Sequence, residues 1–567
     1  MTRRTYSFLL LVAVLLGAAL RATFATGPYW QRPYSVHESD EQFLLFEPVA
    51  MWEGVTPGEP GWPASTTRLL LSAAYGALFL YESGGKLGGT PAQAMETVAA
   101  WIAAKGEDPT SLYVVARWLS WSIGAICIAA AAWAVRRIAG EPAALIAAFL
   151  YAISPIAISY SQLVLADMTG LVFVFILMGI LVPGAESRPL AMGAAGVALG
   201  LAIASKHHFA VWAVDVLVFC GMRAGEWGAR RAMGYLLLVL LIAAVVYTAF
   251  APWIWLNPLL ALKEFAATVL GKVTGEQGPS IRRGLANVLL PTVAFGWSTV
   301  AALAFARWGF ADRRRVSDML PALSVGAVAV FLLCVSARVY LRYGMLFFPV
   351  AVLVASNGLA STLVHEGRST FVAAVVTMGL SVPFTAWQIH SDQRFVGALS
   401  SYALAHDWIE QHVPPGSRIA IFSEDPERYK RTRAQLSDIL ARVNTPEAYA
   451  EKMATNGMTM TSASMPMRLA VLNDEFYAAF WALRELSVRG EGGYVVKRYH
   501  DDPRYDAWRT TDAIGRFLAG DLEVLVLNRK EPQLPPPVVV FPGHPGEHLF
   551  VHVRERAPSP ALPAAGR

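Results

Sequence analysis

Residues 190–222 read LAMGAAGVALGLAIASKHHFAVWAVDVLVFCGM, and the topology of the chain turns on how many helices they form. An apolar stretch of about 20 residues crosses a bilayer as one helix. This one is too long for one crossing and too short for two comfortable ones. Arginine placement decides between them, because Lys and Arg concentrate in cytoplasmic connections. Arg136-Arg137, Arg230-Arg231 and Arg313-Arg314-Arg315 should all face the cytoplasm. An even number of spans must then separate the first two clusters. Two short helices meeting near Lys206 give four spans, whereas one helix gives three and inverts everything downstream. The pattern predicts two short helices.

Outward from that segment, apolar runs recur at 6–24, 112–134, 142–159, 168–182, 190–205, 209–222, 232–252, 285–306, 317–336, 344–360 and 370–388. Composition agrees with a membrane solvent: 55% of residues are hydrophobic and 16% charged, against about 25% charged in soluble domains. The expected fold is an α-helical integral membrane protein with about eleven transmembrane helices. The N-terminus lies in the cytoplasm and a C-terminal α/β domain lies outside. Arg3-Arg4 and the run to about Phe24 resemble a signal peptide, but many spans follow, and the segment reads as an uncleaved first helix. The long segments 27–111, 253–284 and 389–567 all fall outside, and the first carries more acids than bases. A multi-pass protein of the cell (inner) membrane is the expectation. The net charge of +5 sits in short clusters between apolar runs, which does not suggest nucleic acid. Cys127, Cys220 and Cys334 are too scattered for a disulfide framework or a zinc site.

Polar residues that a span should not carry without reason gather on one side of this topology. Asp40 and Glu41 follow the first span. Asp167 opens the fourth, after Ser159-Tyr160-Ser161-Gln162. Lys206-His207-His208 joins the two short helices, Arg338 ends the ninth span, and Arg342-Tyr343 starts the tenth. These pieces come from distant parts of the chain and predict a polar site at the outer membrane boundary, with carboxylates and cations together. That combination suits sugar transfer from a phosphate-linked lipid. Cations hold the phosphate, a carboxylate takes the proton of an acceptor hydroxyl, and phosphate leaves without a separate strong acid. Lys206, Arg338 and Arg342 are the phosphate candidates and Asp40 the base. Each residue alone also fits a plainer role. Asp40-Glu41 suits a solvated loop, Asp167 a helix N-cap, and Lys206 and Arg342 snorkelling to the interface. His207 and His208 suit interfacial polar positions. Asp215 lies inside an apolar run with no assigned role.

At these residues the chain resembles the GT-C glycosyltransferases, nearest to the protein O-mannosyltransferase and aminoarabinose-transferase branch. The resemblance is carried by Arg32-Pro33, His37-Glu38-Ser39-Asp40-Glu41 and Trp62-Pro63 with a second apolar run after them. Ser154-Pro155 through Asp167, Gly200-Leu201 through Lys206, Arg342-Tyr343 through Pro349, and Trp408-Ile409 through Ala420 extend it. The order of several motifs along the chain is the signal. The resemblance implies that Asp40 is the catalytic base and that Glu41 shapes the acceptor site. It also implies that Lys206 and Arg342 contact the donor phosphate. Asp167, His207, His208 and Tyr343 would bind substrate. His207-His208 departs from the aromatic or small residues usual after the lysine. No metal motif like that of oligosaccharyltransferases is found, so neither a metal nor another cofactor is expected. The implied reaction moves a hexosyl or pentosyl group from a polyprenyl-phosphate carrier to a protein, lipid or glycan hydroxyl, with inversion.

The soluble texture after residue 388 predicts domains at 1–388 (membrane, including outer loop 27–111) and 389–556 (α/β), then a disordered tail at 557–567. Strands are expected at Ser417–Ser423, Tyr494–Arg498, Leu522–Leu527 and Leu549–Val553. Helices are expected at Gly397–Gln411, Pro426–Val443 and Glu475–Leu486. Pro535-Pro536-Pro537 reads as a rigid linker. A transporter or lipid flippase is the competing reading, but internal repeats and a midplane site, its usual marks, are not seen. An assembly protein that uses the outer domain as a binding module would leave Asp40, Lys206 and Arg342 without a purpose.

Overall fold

The computed structural model describes residues 2–22, 44–45, 48–49, 52, 65–86, 89–107, 110–182, 189–251, 281–311, 313–335, 341–365 and 367–397. In the C-terminal region it describes 408, 412, 419–422, 518, 524–527, 534, 536–541 and 549–553. The chain divides into two compact units. One comprises Met1–Trp30, Thr56–Leu78 and Val114–Gly397, and the other Gln31–Val55, Phe79–Tyr113 and Ala398–Arg567.

Helix α1 (Arg3–Ala22) opens the chain. Two helices occupy the segment expected as outer loop, α2 (Ser65–Glu82) and α3 (Pro91–Glu107). In α2 the apolar residues Leu71, Tyr75 and Phe79 recur every four positions and are buried, the spacing of one helix face. Then come α4 (Thr110–Ala139), α5 (Glu141–Ala152), α6 (Pro155–Gln162), α7 (Ala166–Ile180), α8 (Pro189–Ser205), a 3-10 turn (His207–Trp212), α9 (Ala213–Trp227) and α10 (Ala229–Phe250). The first unit closes with α11 (Ile281–Ala294), α12 (Trp297–Leu303), α13 (Ala306–Gly309) and α14 (Arg313–Val335). A second 3-10 turn (Leu341–Leu346), α15 (Phe348–His365) and α16 (Arg368–Gly397) follow.

The expected division of 190–222 is present: α8 stops at Ser205, Lys206 is extended, and helix resumes at His207. The stretch expected as one span at 142–159 is instead two helices bent by 57°. Pro155 begins α6 without a backbone N–H to continue α5, and a residue before proline avoids helical angles. Ser154 accordingly has ψ 118°. Beside the arginine clusters, Gly140 and Gly228 turn the chain with φ of 89° and 80°, a conformation open to glycine at little cost.

Five described helices are long and apolar enough to cross a membrane, or six if the bent pair counts as one span. Shorter apolar helices include α7 and α8. Close helix contact relies on small residues, as is usual between membrane helices. Helix α8 packs on α10 and α7, and a Cβ added at Gly196 or Gly200 would lie 2.8 Å from Val239 O or 2.7 Å from Ala243 O. On α4, Cys127, Ala131, Ala134 and Ile138 are buried at spacings of three and four.

In the second unit, Trp52 stacks on Trp101, and Phe79 meets both rings edge-on. Glu82 accepts from Trp101 Nε1 at 2.6 Å and from Lys105 Nζ at 2.9 Å. The C-terminal strands β1 (Ile419–Phe422), β2 (Val524–Leu527), β3 (Val539–Phe541) and β4 (Leu549–Val553) form one sheet in the order β1-β2-β4-β3. β1 runs parallel to β2 with Ile419 opposite Val524, and the other pairs are antiparallel. A parallel neighbour requires a crossover connection of about a dozen residues or more, which the sequence between β1 and β2 is long enough to supply. Three of the four strands lie where alternation predicted them, whereas β3 follows the three prolines. The expected strand at Tyr494–Arg498, the helices at Pro426–Val443 and Glu475–Leu486 and the tail 557–567 lie outside the described residues.

Candidate functional site

Where α8 ends, the turn of Lys206, His207 and His208 faces the start of α7. Lys206 Nζ donates to Asp167 Oδ2 at 2.6 Å and to Oδ1 at 2.8 Å. Asp167 is 0% exposed and Lys206 8%. The N-cap of α7 is Leu165, with no side-chain cap hydrogen bond, so Asp167 sits in the first turn and directs its oxygens to lysine rather than capping. Its negative charge also suits the positive end of the helix dipole. His208 Nε2 stands 3.7 Å from Asp167 Oδ1, and its ring packs on Phe209. His207 Nε2 lies 2.7 Å from Tyr247 Oη on α10. The turn is thereby fixed to α7 on one side and α10 on the other.

The start of α2 joins the same place. Thr67 Oγ1 donates to Thr169 Oγ1 at 3.0 Å, and Thr66 Oγ1 donates to Leu201 O at 3.2 Å. The next residue, Arg68, is completely buried, as is Arg117 on α4. Neither was among the expected site residues. Both were visible as arginines inside apolar stretches, which is where a membrane chain keeps functional charge.

A second polar centre holds the end of α1. Arg21, fully buried, donates from Nε to Ser161 Oγ at 3.0 Å. Its Nη1 donates to Gly17 O at 2.9 Å and Ala152 O at 3.2 Å, and its Nη2 to Tyr151 O at 3.4 Å. Gln162 Nε2 donates back to Arg21 O, and Trp121 Nε1 to Ala18 O at 2.9 Å. Carbonyls left over at a helix end need such partners. The guanidinium also serves the carbonyls released at the bend between α5 and α6. Asp215 is buried on α9, and among the described residues its Oδ2 has no hydrogen-bond partner.

Of the expected site residues, Asp167, Lys206 and His208 come together and His207 lies beside them. Arg342 and Tyr343 belong to the 3-10 turn Leu341–Leu346, which packs on α7; only their backbone is described. Asp40, Glu41 and Arg338 lie outside the described residues. Among the described residues, no group of three His, Cys, Asp or Glu side chains is arranged to hold a metal ion.

Residues 98–255 match a mannosyltransferase family. Its description is dolichyl-phosphate-mannose-protein mannosyltransferase, and the mannosyltransferase-like segment contains α4 to α10, with Asp167, Lys206 and both histidines. This is the kind of enzyme that the sequence resembles. No curated protein matches the chain. Among solved structures, the chain is similar to an Archaeoglobus fulgidus oligosaccharyltransferase tethered with an acceptor peptide containing the NVT sequon, at 13% identity and a TM-score of 0.45. That match covers 73% of this chain and 58% of the other. The apo form of that enzyme gives 14% identity, a TM-score of 0.49, and coverage of 93% and 70%. ArnT from Cupriavidus metallidurans, bound to undecaprenyl phosphate, gives 16%, 0.42, and coverage of 90% and 96%. The chain thus spans 58% of the length of the first of these structures.

Proposed function

We propose that the chain is a membrane glycosyltransferase of the GT-C type. It moves a hexosyl or pentosyl group from a polyprenyl-phosphate carrier to an acceptor hydroxyl on the outer face of the cell membrane, with inversion. The observation that carries this reading is that the mannosyltransferase-like segment holds the buried Asp167–Lys206 pair at the place where two short helices meet. Charged side chains so deep in an apolar bundle are costly and mark function. The same reading gives about eleven spans, a cytoplasmic N-terminus, a membrane domain over 1–388 and an outer α/β domain over 389–556.

In the reaction, Asp40 accepts the proton of the acceptor hydroxyl, and the oxygen attacks the anomeric carbon opposite the phosphate. The carbon–oxygen bond to phosphate breaks and its electron pair leaves on the carrier. Glu41 shapes the acceptor site. Lys206, Arg338 and Arg342 face the phosphate, with Asp167, His207, His208 and Tyr343 around the substrate. Phosphate is a competent leaving group, so the reading assigns no step to a metal. The acceptor is a protein, lipid or glycan.

The test is transfer of radiolabelled sugar from total polyprenyl-phosphate sugars to membrane acceptors, comparing wild type with Asp40→Asn. Asparagine keeps the shape and cannot take the proton. Loss of transfer at normal expression supports the assignment, and the labelled product names the acceptor. Full transfer by the variant removes Asp40 from the role of base. No transfer by wild type with any donor or acceptor fraction rejects the glycosyltransferase reading.

A further inference from the structure

Lys206 holds its charge against a carboxylate whose two oxygens lie 2.6 and 2.8 Å from Nζ. The pair is neutral as a unit, and Asp167 is wholly buried. An ammonium has three N–H donors, so the two short contacts leave one for a further acceptor. The turn that carries Asp167 is itself held, through Thr169, by Thr67. His208 is the second basic side chain facing the same carboxylate. A phosphate that reaches Lys206 therefore meets a cation already shared with an anion.

The sharing matters because the ligand changes charge during the proposed reaction. A polyprenyl-phosphate sugar is a phosphodiester with one negative charge. The carrier left behind is a phosphomonoester, with about 1.5 to 2 negative charges at neutral pH. Coulomb attraction scales with the product of the charges. An unshared lysine would thus hold the spent carrier more tightly than the fresh donor, and the site would clog with its own product.

We infer that Asp167 is a positioning residue that restrains Lys206 so that the spent carrier phosphate can leave. This rests on the reading that Lys206 meets the carrier phosphate. Asp167 sets the balance between diester and monoester by lowering the net charge the phosphate encounters.

The experiment titrates purified full-length protein with undecaprenyl phosphate and, separately, with its methyl diester. The variants are Asp167→Asn, Asp167→Ser, Lys206→Met and the double Asp167→Asn/Lys206→Met, with thermal unfolding followed alongside. Asp167→Asn should tighten monoester binding on the order of tenfold and diester binding less. The double variant should lose that gain. Asp167→Ser removes the charge with a smaller side chain and must shift affinity in the same direction, which protects the test against one poorly folded variant. Unchanged or weaker monoester binding in both Asp167 variants, with unfolding like wild type, overturns the inference. If the double variant then binds more weakly than wild type, Lys206 does meet the phosphate and only the role of Asp167 falls. If no variant differs from wild type, the reading of Lys206 falls too.

Discussion

Tyr247 Oη lies 2.7 Å from His207 Nε2 and fastens the turn after Lys206 to α10. Removing that hydroxyl leaves the ring packing and deletes one hydrogen bond. Tyr247→Phe should lower stability by about 0.5–1.5 kcal/mol, seen as a modest drop in unfolding temperature in detergent. Sugar transfer should fall by a larger factor than stability implies, because the turn carries Lys206. Transfer equal to wild type would show that the contact is structural only.

Arg21 offers a harsher test. Arg21→Leu removes the guanidinium donor to Ser161 Oγ and to the Ala152 carbonyl, and one of the donors to the Tyr151 carbonyl, all in a buried setting. A loss of about 2–4 kcal/mol is expected, with protease sensitivity appearing near the bend between α5 and α6. Arg21→Lys should recover only part of this, since an ammonium lacks the planar fork. Limited proteolysis of the purified variants measures both.

Gly200 should reject any side chain. A Cβ there would lie 2.7 Å from the Ala243 carbonyl, and backbone cannot step aside. Gly200→Val should cost about 1–3 kcal/mol. At Gly221 an added Cβ meets nothing within 4 Å, so Gly221→Ala should be neutral or stabilise by up to about 1 kcal/mol. Thermal unfolding of the two variants side by side decides the matter.

Asp215 should behave in the opposite sense to a structural charge. Its Oδ2 is buried with no hydrogen-bond partner among the described residues, and such burial is unfavourable. Asp215→Leu is therefore expected to raise stability by about 1–3 kcal/mol. A variant that is more stable but inactive would mark Asp215 as functional, whereas a destabilised one would mean that the carboxyl is satisfied.

Apolar runs located most helices and arginine placement located the break at Lys206, because a charge in apolar surroundings has few places to go. Asp167 was legible for the same reason, although its partner was not: that pairing spans 39 positions and depends on how α7 and α8 pack. Arg68 was less legible, because the α2 segment reads as part of the outer loop. Its arginine and closing glutamate dilute an apolar run whose buried face emerges only at helical spacing. The bend at Ser154-Pro155 was written in the chain as a proline, but continuous apolar character around it suggested one span. β3 was hidden by the prolines before it and its own shortness, since three residues carry little alternation.

Arg21 also bears on the order of synthesis. Its acceptors on α5 and α6 are encoded up to 140 positions later, a delay on the order of ten seconds at ribosomal speed. Until Ser161 has left the ribosome, the first helix waits in the membrane with a charged group that its own turn serves only through Gly17. Maturation of this bundle is consequently timed by translation: α1 is made before the partners of Arg21 and is locked only after them.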